Sequence, residues 1–328
     1  MVASTAAVPP FGTYPPTRLQ ALARDIGRRL PRKSWPARRL SSWMRSLLRR
    51  TARRPIDVTV LGQRMRLHLG DNACERRLMV TPQFFDPVEL EILRSVVGSN
   101  FHFIDLGANV GTYSVFVGTL AGPDARILAV EPQASLLKRL RANIALNNLD
   151  IRVAPVAVGD HEGTVEFASH SSNLGFTSLN TQRTGRGERR MIKLPMRTLL
   201  GLIKEHGFER IDALKADIEG AEDLAILPFM EEAPRSLWPR LIILESSPDE
   251  WRRNCVTFLE ELGYVRLPAS VGNVVLQLPP ETQAEPITGR ELRRADADGL
   301  VEGDLLEAHA AAKGHRLDTD GARLAERI

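Results

Sequence analysis

Cysteine is almost absent: Cys74 and Cys255 are the only two in 328 residues, far apart and in no ligand spacing. That argues against a disulfide scaffold or a zinc module and fits a reducing compartment. No run approaches the roughly 20 consecutive apolar residues that a bilayer-spanning helix needs. Seven histidines are scattered without an HExxH and with no carboxylate cluster beside them, so no metal site is signalled. There is no uninterrupted apolar h-region, which argues against a secretory signal peptide. No RNP, zinc or helix-turn-helix pattern supports nucleic-acid binding. No internal repeat is found.

What is present divides by charge. Residues 1–55 hold thirteen Arg or Lys against a single acid, Asp25, whereas the remaining chain has 31 basic and 39 acidic residues. The first sixteen residues are small and Pro-rich and are expected to lack order. Within the Arg-rich stretch 17–54, "RLSSWMRSLLRR" (39–50) sets Leu40, Trp43, Met44, Leu47 and Leu48 on one helical face and arginines on the other. Such a helix either lies on an anionic membrane surface or packs on the domain with its arginines solvated; a targeting presequence also fits. The expected organisation is a basic, partly disordered segment 1–55, a globular domain 56–278 and a polar tail 279–328, cytoplasmic with peripheral membrane contact.

With 43% hydrophobic residues the chain can bury a substantial core. "IDVTVLGQRMRLHL" (56–69) reads as a hairpin around Leu-Gly, and 87–100 as a helix opened by Pro and closed near Gly. Strand and helix then alternate: strands at "FHFIDLG", 125–132, 151–160, 211–217 and 240–247, with helices at 110–120, 133–148, 197–206 and 249–262. A more irregular, glycine-broken region, 161–195, contains the strand-like "GTVEFA". "YVRLP" and "NVVLQLP" form a terminal hairpin. This is an α/β pattern, a mostly parallel sheet covered on both faces with an antiparallel edge.

Ligands of open parallel sheets sit outside the carboxyl ends of the strands. "DLGANVG" ends the first parallel strand and opens a helix, with Gly107 and Gly111 allowing close backbone approach. A dinucleotide fingerprint would read GxGxxG. Here Asn109 stands where the second glycine belongs, and Asp105 would face a pyrophosphate. A carboxylate suits a cationic amino group instead. Glu131 ends the second strand, placed for the two hydroxyls of a ribose, and Asp160 ends the third, placed to border an adenine. Adenosine joined to a zwitterionic amino acid fits that set: S-adenosylmethionine.

"FIDLGANVG", "AVEP" followed by a helix with "NNL", "VAVGD…GTVEF" and "IDALKADIEGAE" resemble the FkbM family of S-adenosylmethionine-dependent methyltransferases, over about residues 78–278. The resemblance implies a class I methyltransferase (Rossmann-like) fold: a seven-stranded, mostly parallel sheet with an antiparallel terminal strand. It also implies methylation of a hydroxyl, often on a saccharide or natural product, with Asp105, Gly107, Asn109, Gly111, Glu131 and Asp160 contacting the cofactor.

Methyl transfer is an in-line displacement that needs an acceptor oxygen aligned with the carbon–sulfur bond and a base for its proton. At the fourth strand end Asp217 is the first candidate and Glu219, ahead of Gly220, the second; Glu245 at the fifth is the third. Glu222 reads as a solvated helix residue. Lys215 shares Asp217's face by period-two alternation. Ser246 and Ser247 follow Glu245, which argues against a histidine base there. The polar stretch "ASHSSNLGFTSLN" (168–180), with His170, is read as a loop that chooses the acceptor. The expected activity is O-methylation of a small-molecule or glycan acceptor. The alternatives are a non-catalytic cofactor-binding or membrane-adaptor protein on the same fold, and an NAD-dependent oxidoreductase, which Asp105 and Asn109 disfavour.

Overall fold

The computed structural model describes residues 7–31, 34–170, 177–178 and 189–280. Two helices come first, α1 (Arg18–Arg28) and α2 (Trp35–Thr51). Thr17 and Gln20 close a capping box on α1, and Ser34 caps α2 ahead of Pro36. The hairpin β1 (Ile56–Val60) and β2 (Gln63–Leu67) turns at Leu61 and Gly62, both at positive φ, as a two-residue hairpin loop requires. Next come α3 (Ala73–Val80), α4 (Pro87–Val96), β3 (His102–Leu106), α5 (Thr112–Leu120), β4 (Arg126–Val130), α6 (Ala134–Leu146) and β5 (Arg152–Ala154). The irregular region holds β6 (Ala157–Gly159), β7 (Gly163–His170), β8 (Thr177–Ser178) and β9 (Arg189–Thr198). The domain closes with α7 (Leu199–Glu205), β10 (Ala213–Ala216), α8 (Glu222–Glu232), β11 (Leu241–Glu245), α9 (Cys255–Glu261), β12 (Val265–Leu267) and β13 (Asn273–Gln277).

The main sheet runs β12-β13-β11-β10-β3-β4-β5, parallel from β11 through β5, with β13 antiparallel between β11 and β12. This is the seven-stranded arrangement that the resemblance implies, with β12 rather than β13 at the edge. Alternation divides the core. Phe103, Ile127, Ala129, Ala213 and Ile243 face the side of α5, α6 and the N-terminal elements, whereas Ile104, Leu128, Val130, Leu214 and Ile242 face α7, α8 and α9. Among the described residues no helix is long and apolar enough to cross a membrane.

Two sequence expectations change here. The third strand, read as continuous over 151–160, stops at Ala154 and resumes as β6 in a second sheet with β9, β7 and β8. Pro155 divides the two pieces, and proline has no backbone N–H to give a sheet ladder. Within the first sixteen residues, expected to lack order, Pro9, Pro10, Gly12 and Tyr14 are tied down instead. Asp57 and Arg66 form a buried ion pair at 2.7 Å across the hairpin. Its remaining hydrogen-bonding capacity is met by the N–H groups of Gly12 and Tyr14 and by the carbonyls of Pro9 and Pro10. The predicted amphipathic face of α2 is split: Met44 and Leu48 enter the core, while Leu40 and Trp43 stay exposed. Residues 171–176 and 179–180 of the stretch expected to choose the acceptor, and the side chain of His170, lie outside the described residues.

Candidate functional site

At the carboxyl ends of β3, β4, β10 and β11 lies a cavity of about 1010 Å³, roofed by α2 and α3. Register explains which side chains meet there. Asp105 of β3 pairs with Lys215 of β10, and Lys215 with Ile243 of β11. Continuing that register sets Asp217 opposite Glu245. All four side chains fall on the same sheet face as Phe103 and Ala213, which is the cavity side.

Gly107 and Asn109 form the loop after β3, at φ +75° and +52°. A Cβ on Gly107 would lie 1.9 Å from the Asp217 carbonyl oxygen, so only glycine lets the β3 and β10 ends meet. The Asn109 amide donates to Glu131 Oε2 at 2.9 Å, and its side-chain oxygen accepts from Asn72 at 2.8 Å. Glu131 Oε1 accepts from the Gln133 amide at 2.9 Å. Burial pushes the Glu131 carboxyl up to about 7 against the pull of these two amides, with Asp105 and Asp217 adding to the rise.

Asp105 is fully buried, and its Oδ2 accepts from both the amide and the hydroxyl of Ser114, at 3.1 and 2.6 Å. Lys215 Nζ stands 3.7 Å from its Oδ1, 3.2 Å from Asp217 Oδ2 and 5.1 Å from the Tyr113 ring centroid. The positive partner that the sequence reading reserved for a ligand is thus supplied within the protein. Burial would lower the Lys215 pKa, but the charges of Asp217 and Asp105 outweigh it and hold the ammonium above its usual value.

Asp217, Glu219 and Glu245 are each half-buried and present oxygens within 4.8 Å of one another. Burial first, then the Asp217 and Glu219 charges, push Glu245 up to about 9. At neutral pH Glu245 therefore carries a proton beside Asp217. Glu219 sits at φ +57° ahead of Gly220 at φ +91°. That strained turn is held by Glu222, which is fully buried rather than solvated: it accepts from the Ile218 and Gly220 amides at 2.9 and 3.3 Å and from the Trp251 indole at 2.8 Å.

Two sequence-assigned residues do not line the cavity. Gly111 is the left-handed N-cap of α5, where a Cβ would meet Leu140 Cδ1 at 2.6 Å. Asp160 lies beyond the break at Pro155, bonded to His161 at 2.7 Å and 3.9 Å from Arg252; Val156, Ala157 and Val158 border the cavity in its place. Residues that sequence reasoning missed are Asp86, Tyr113, Arg38, Arg45 and Arg77. Asp86, at φ +39° before Pro87, accepts from the Tyr113 hydroxyl at 3.0 Å. Its only sequence signal was the Asp-Pro pair.

Residues 105–266 match the family described as Methyltransferase FkbM domain, so the resemblance read from the motifs holds. The AMB antimetabolite synthetase AmbE of Pseudomonas aeruginosa is 27% identical over 175 residues, 43% of this chain and 8% of that protein. The chain therefore spans under a tenth of that synthetase's length. Methyltransferase sdnD of Sordaria araneosa is 25% identical over 194 residues, 51% of this chain and 74% of that protein. A structure of the SAM-dependent methyltransferase from Agrobacterium tumefaciens aligns with 69% of this chain and 70% of its own, at 13% identity and TM-score 0.39.

Proposed function

We propose that this chain, whose residues 105–266 carry a methyltransferase FkbM domain, moves a methyl group from S-adenosylmethionine to a hydroxyl oxygen of a saccharide, glycolipid or natural product. One observation carries the reading. A single cavity holds a buried carboxylate suited to a ribose, Glu131, and three converging carboxylates suited to a hydroxyl proton, at neighbouring strand ends.

The residues fit the cofactor. Each Glu131 oxygen accepts one backbone amide and keeps a lone pair for a ribose hydroxyl. Leu136, Val156 and Val158 offer apolar walls for a purine. When bound, the cofactor supplies an electrophilic methyl carbon on a sulfonium. Asp217 receives the acceptor's hydroxyl proton, with the Lys215 ammonium 3.2 Å away and protonated Glu245 beside it to orient it. Glu219 lines the acceptor side.

Methyl-labelled S-adenosylmethionine, incubated with the full-length protein and pools of sugars and glycolipids, tests this. The expected product is a labelled, base-stable methyl ether, and Asp217→Asn slows its formation about a hundredfold. Label on nitrogen or carbon sinks the O-methylation reading, and cofactor binding without turnover on any pool favours a non-catalytic binder.

Peripheral contact with an anionic membrane through residues 17–54 is part of the proposal. Leu19, Leu22 and Ile26 of α1 and Trp35, Leu40 and Trp43 of α2 are exposed among arginines. Because Met44 and Leu48 are core residues, the test is Leu22→Asp with Trp43→Asp rather than a deletion. Loss of pelleting with phosphatidylglycerol vesicles supports the contact; a wild type that does not pellet refutes it.

A further inference from the structure

We infer that the acceptor carries a phosphate group and that Arg38, Arg45 and Arg77 hold it at the wall of the cavity that α2 and α3 supply. The inference rests on the methyl-transfer reading of the same cavity and narrows its acceptor.

Positions 38, 41 and 45 of α2, spaced by three and four, lie along one side of the helix. They flank the buried stripe of Ala37, Met44 and Leu48, with Leu40 and Trp43 on the other flank. That side brings Arg38, Ser41 and Arg45 to the cavity wall, and α3 brings Arg77 to the same wall. None of the three guanidinium groups forms a salt bridge with a carboxylate among the described residues.

Their partners are neutral. Arg45 Nη1 donates to Ser41 Oγ at 3.2 Å and Thr81 Oγ1 at 3.5 Å. Arg77 donates to the Phe84 carbonyl at 2.5 Å and lies over the Phe85 ring at 5.7 Å. Asp86, the acid whose charge reaches Arg77, takes its own hydrogen bond from Tyr113. Arg66 and Arg139 contrast with these: Arg66 is held by Asp57, and Arg139 by Asp71 and Glu75.

Arg45 and Arg77 are both half-buried, and the charge of each opposes the other's. Two sheltered like charges with Asp86 as the nearby acid, but with no carboxylate in ion-pair contact, are unfavourable, and an oxyanion between them relieves this. Three guanidinium forks present more donors than the two oxygens of a carboxylate accept, and they suit the three free oxygens and near-double charge of a phosphate. At about 1010 Å³ the cavity is at the upper end of ligand sites, with room for cofactor and acceptor together. The wall is built by helices outside the matched residues 105–266.

The test is calorimetric titration of the full-length protein, saturated with S-adenosylhomocysteine, with inorganic pyrophosphate. Wild type, Arg45→Gln/Arg77→Gln and the distant control Arg94→Gln are compared. Expected is saturable binding to wild type and control, weakened about tenfold or more in the double variant, with S-adenosylhomocysteine affinity and thermal melting unchanged. Equal binding by the double variant, or none by the wild type, overturns the inference. So does binding to phosphatidylglycerol vesicles without binding to pyrophosphate, because the arginines then meet a lipid surface. Failure of S-adenosylhomocysteine itself to bind would instead count against the cofactor reading.

Discussion

Lys215 and Asp105 are register partners on adjacent parallel strands, and the ammonium lies 3.7 Å from a carboxylate that is wholly buried. The pair fixes the charge of the cavity floor before any ligand arrives. Removing one member of such a pair leaves a buried charge uncompensated. Lys215→Met is therefore expected to destabilise the protein by about 3 kcal/mol in urea unfolding, and Lys215→Met/Asp105→Asn to recover part of the loss. A single variant as stable as wild type would show that the pair carries no such load.

Glu245 gives a pH signature. Its pKa is raised from 4.5 to about 9 in the fold. Between those values the folded state holds a proton that the unfolded chain has released, so stability falls as pH rises from about 4.5 to about 9 and then levels. Glu245→Gln is expected to remove this component from urea midpoints measured across that range. The same proton predicts that millimolar magnesium leaves the pH dependence of these midpoints in place. Its loss in magnesium would mean that a cation displaces the proton.

Glu131 predicts how cofactor affinity depends on pH. Its carboxyl titrates at about 7, and the ionised form accepts hydroxyl hydrogen bonds better than the neutral one. S-adenosylhomocysteine affinity is expected to rise with pH up to about 7 and then flatten. Glu131→Gln should abolish that slope, and Glu131→Ala should weaken binding about a hundredfold, the value of two charge-assisted hydrogen bonds. Calorimetry at four pH values checks this; an unchanged affinity in Glu131→Ala would place the ribose elsewhere.

The two loop glycines are expected to differ. A Cβ at Gly107 meets a backbone oxygen at 1.9 Å, whereas one at Gly111 meets the tip of the Leu140 side chain at 2.6 Å. Both positions have positive φ, so both substitutions are strained. Gly107→Ala should also push the β3 and β10 ends apart and abolish cofactor binding. Gly111→Ala should cost about 1–2 kcal/mol of stability and keep binding. Equal binding losses would contradict this assignment.

Local pattern determined a good deal. Alternation and Gly-Pro punctuation in the sequence define the parallel strands and the order of helices, and "DLGANVG" and "KADIEGAE" mark the two strand ends that form the cavity floor. Asp217, Glu219 and Glu245 were legible because parallel strands deliver their carboxyl ends to one edge. The rest was decided by contacts distant in sequence. Asp160 left the site because Pro155 moves the chain into a second sheet. Lys215 took Asp105 because strand register, which no local motif encodes, set them side by side. Glu222 is buried because Trp251, 29 residues on, donates to it. The arginine wall exists because Met44 and Leu48 turn one face of α2 into the core and swing Arg38 and Arg45 over the cavity. Periodicity fixes which residues share a face; only packing decides what that face meets.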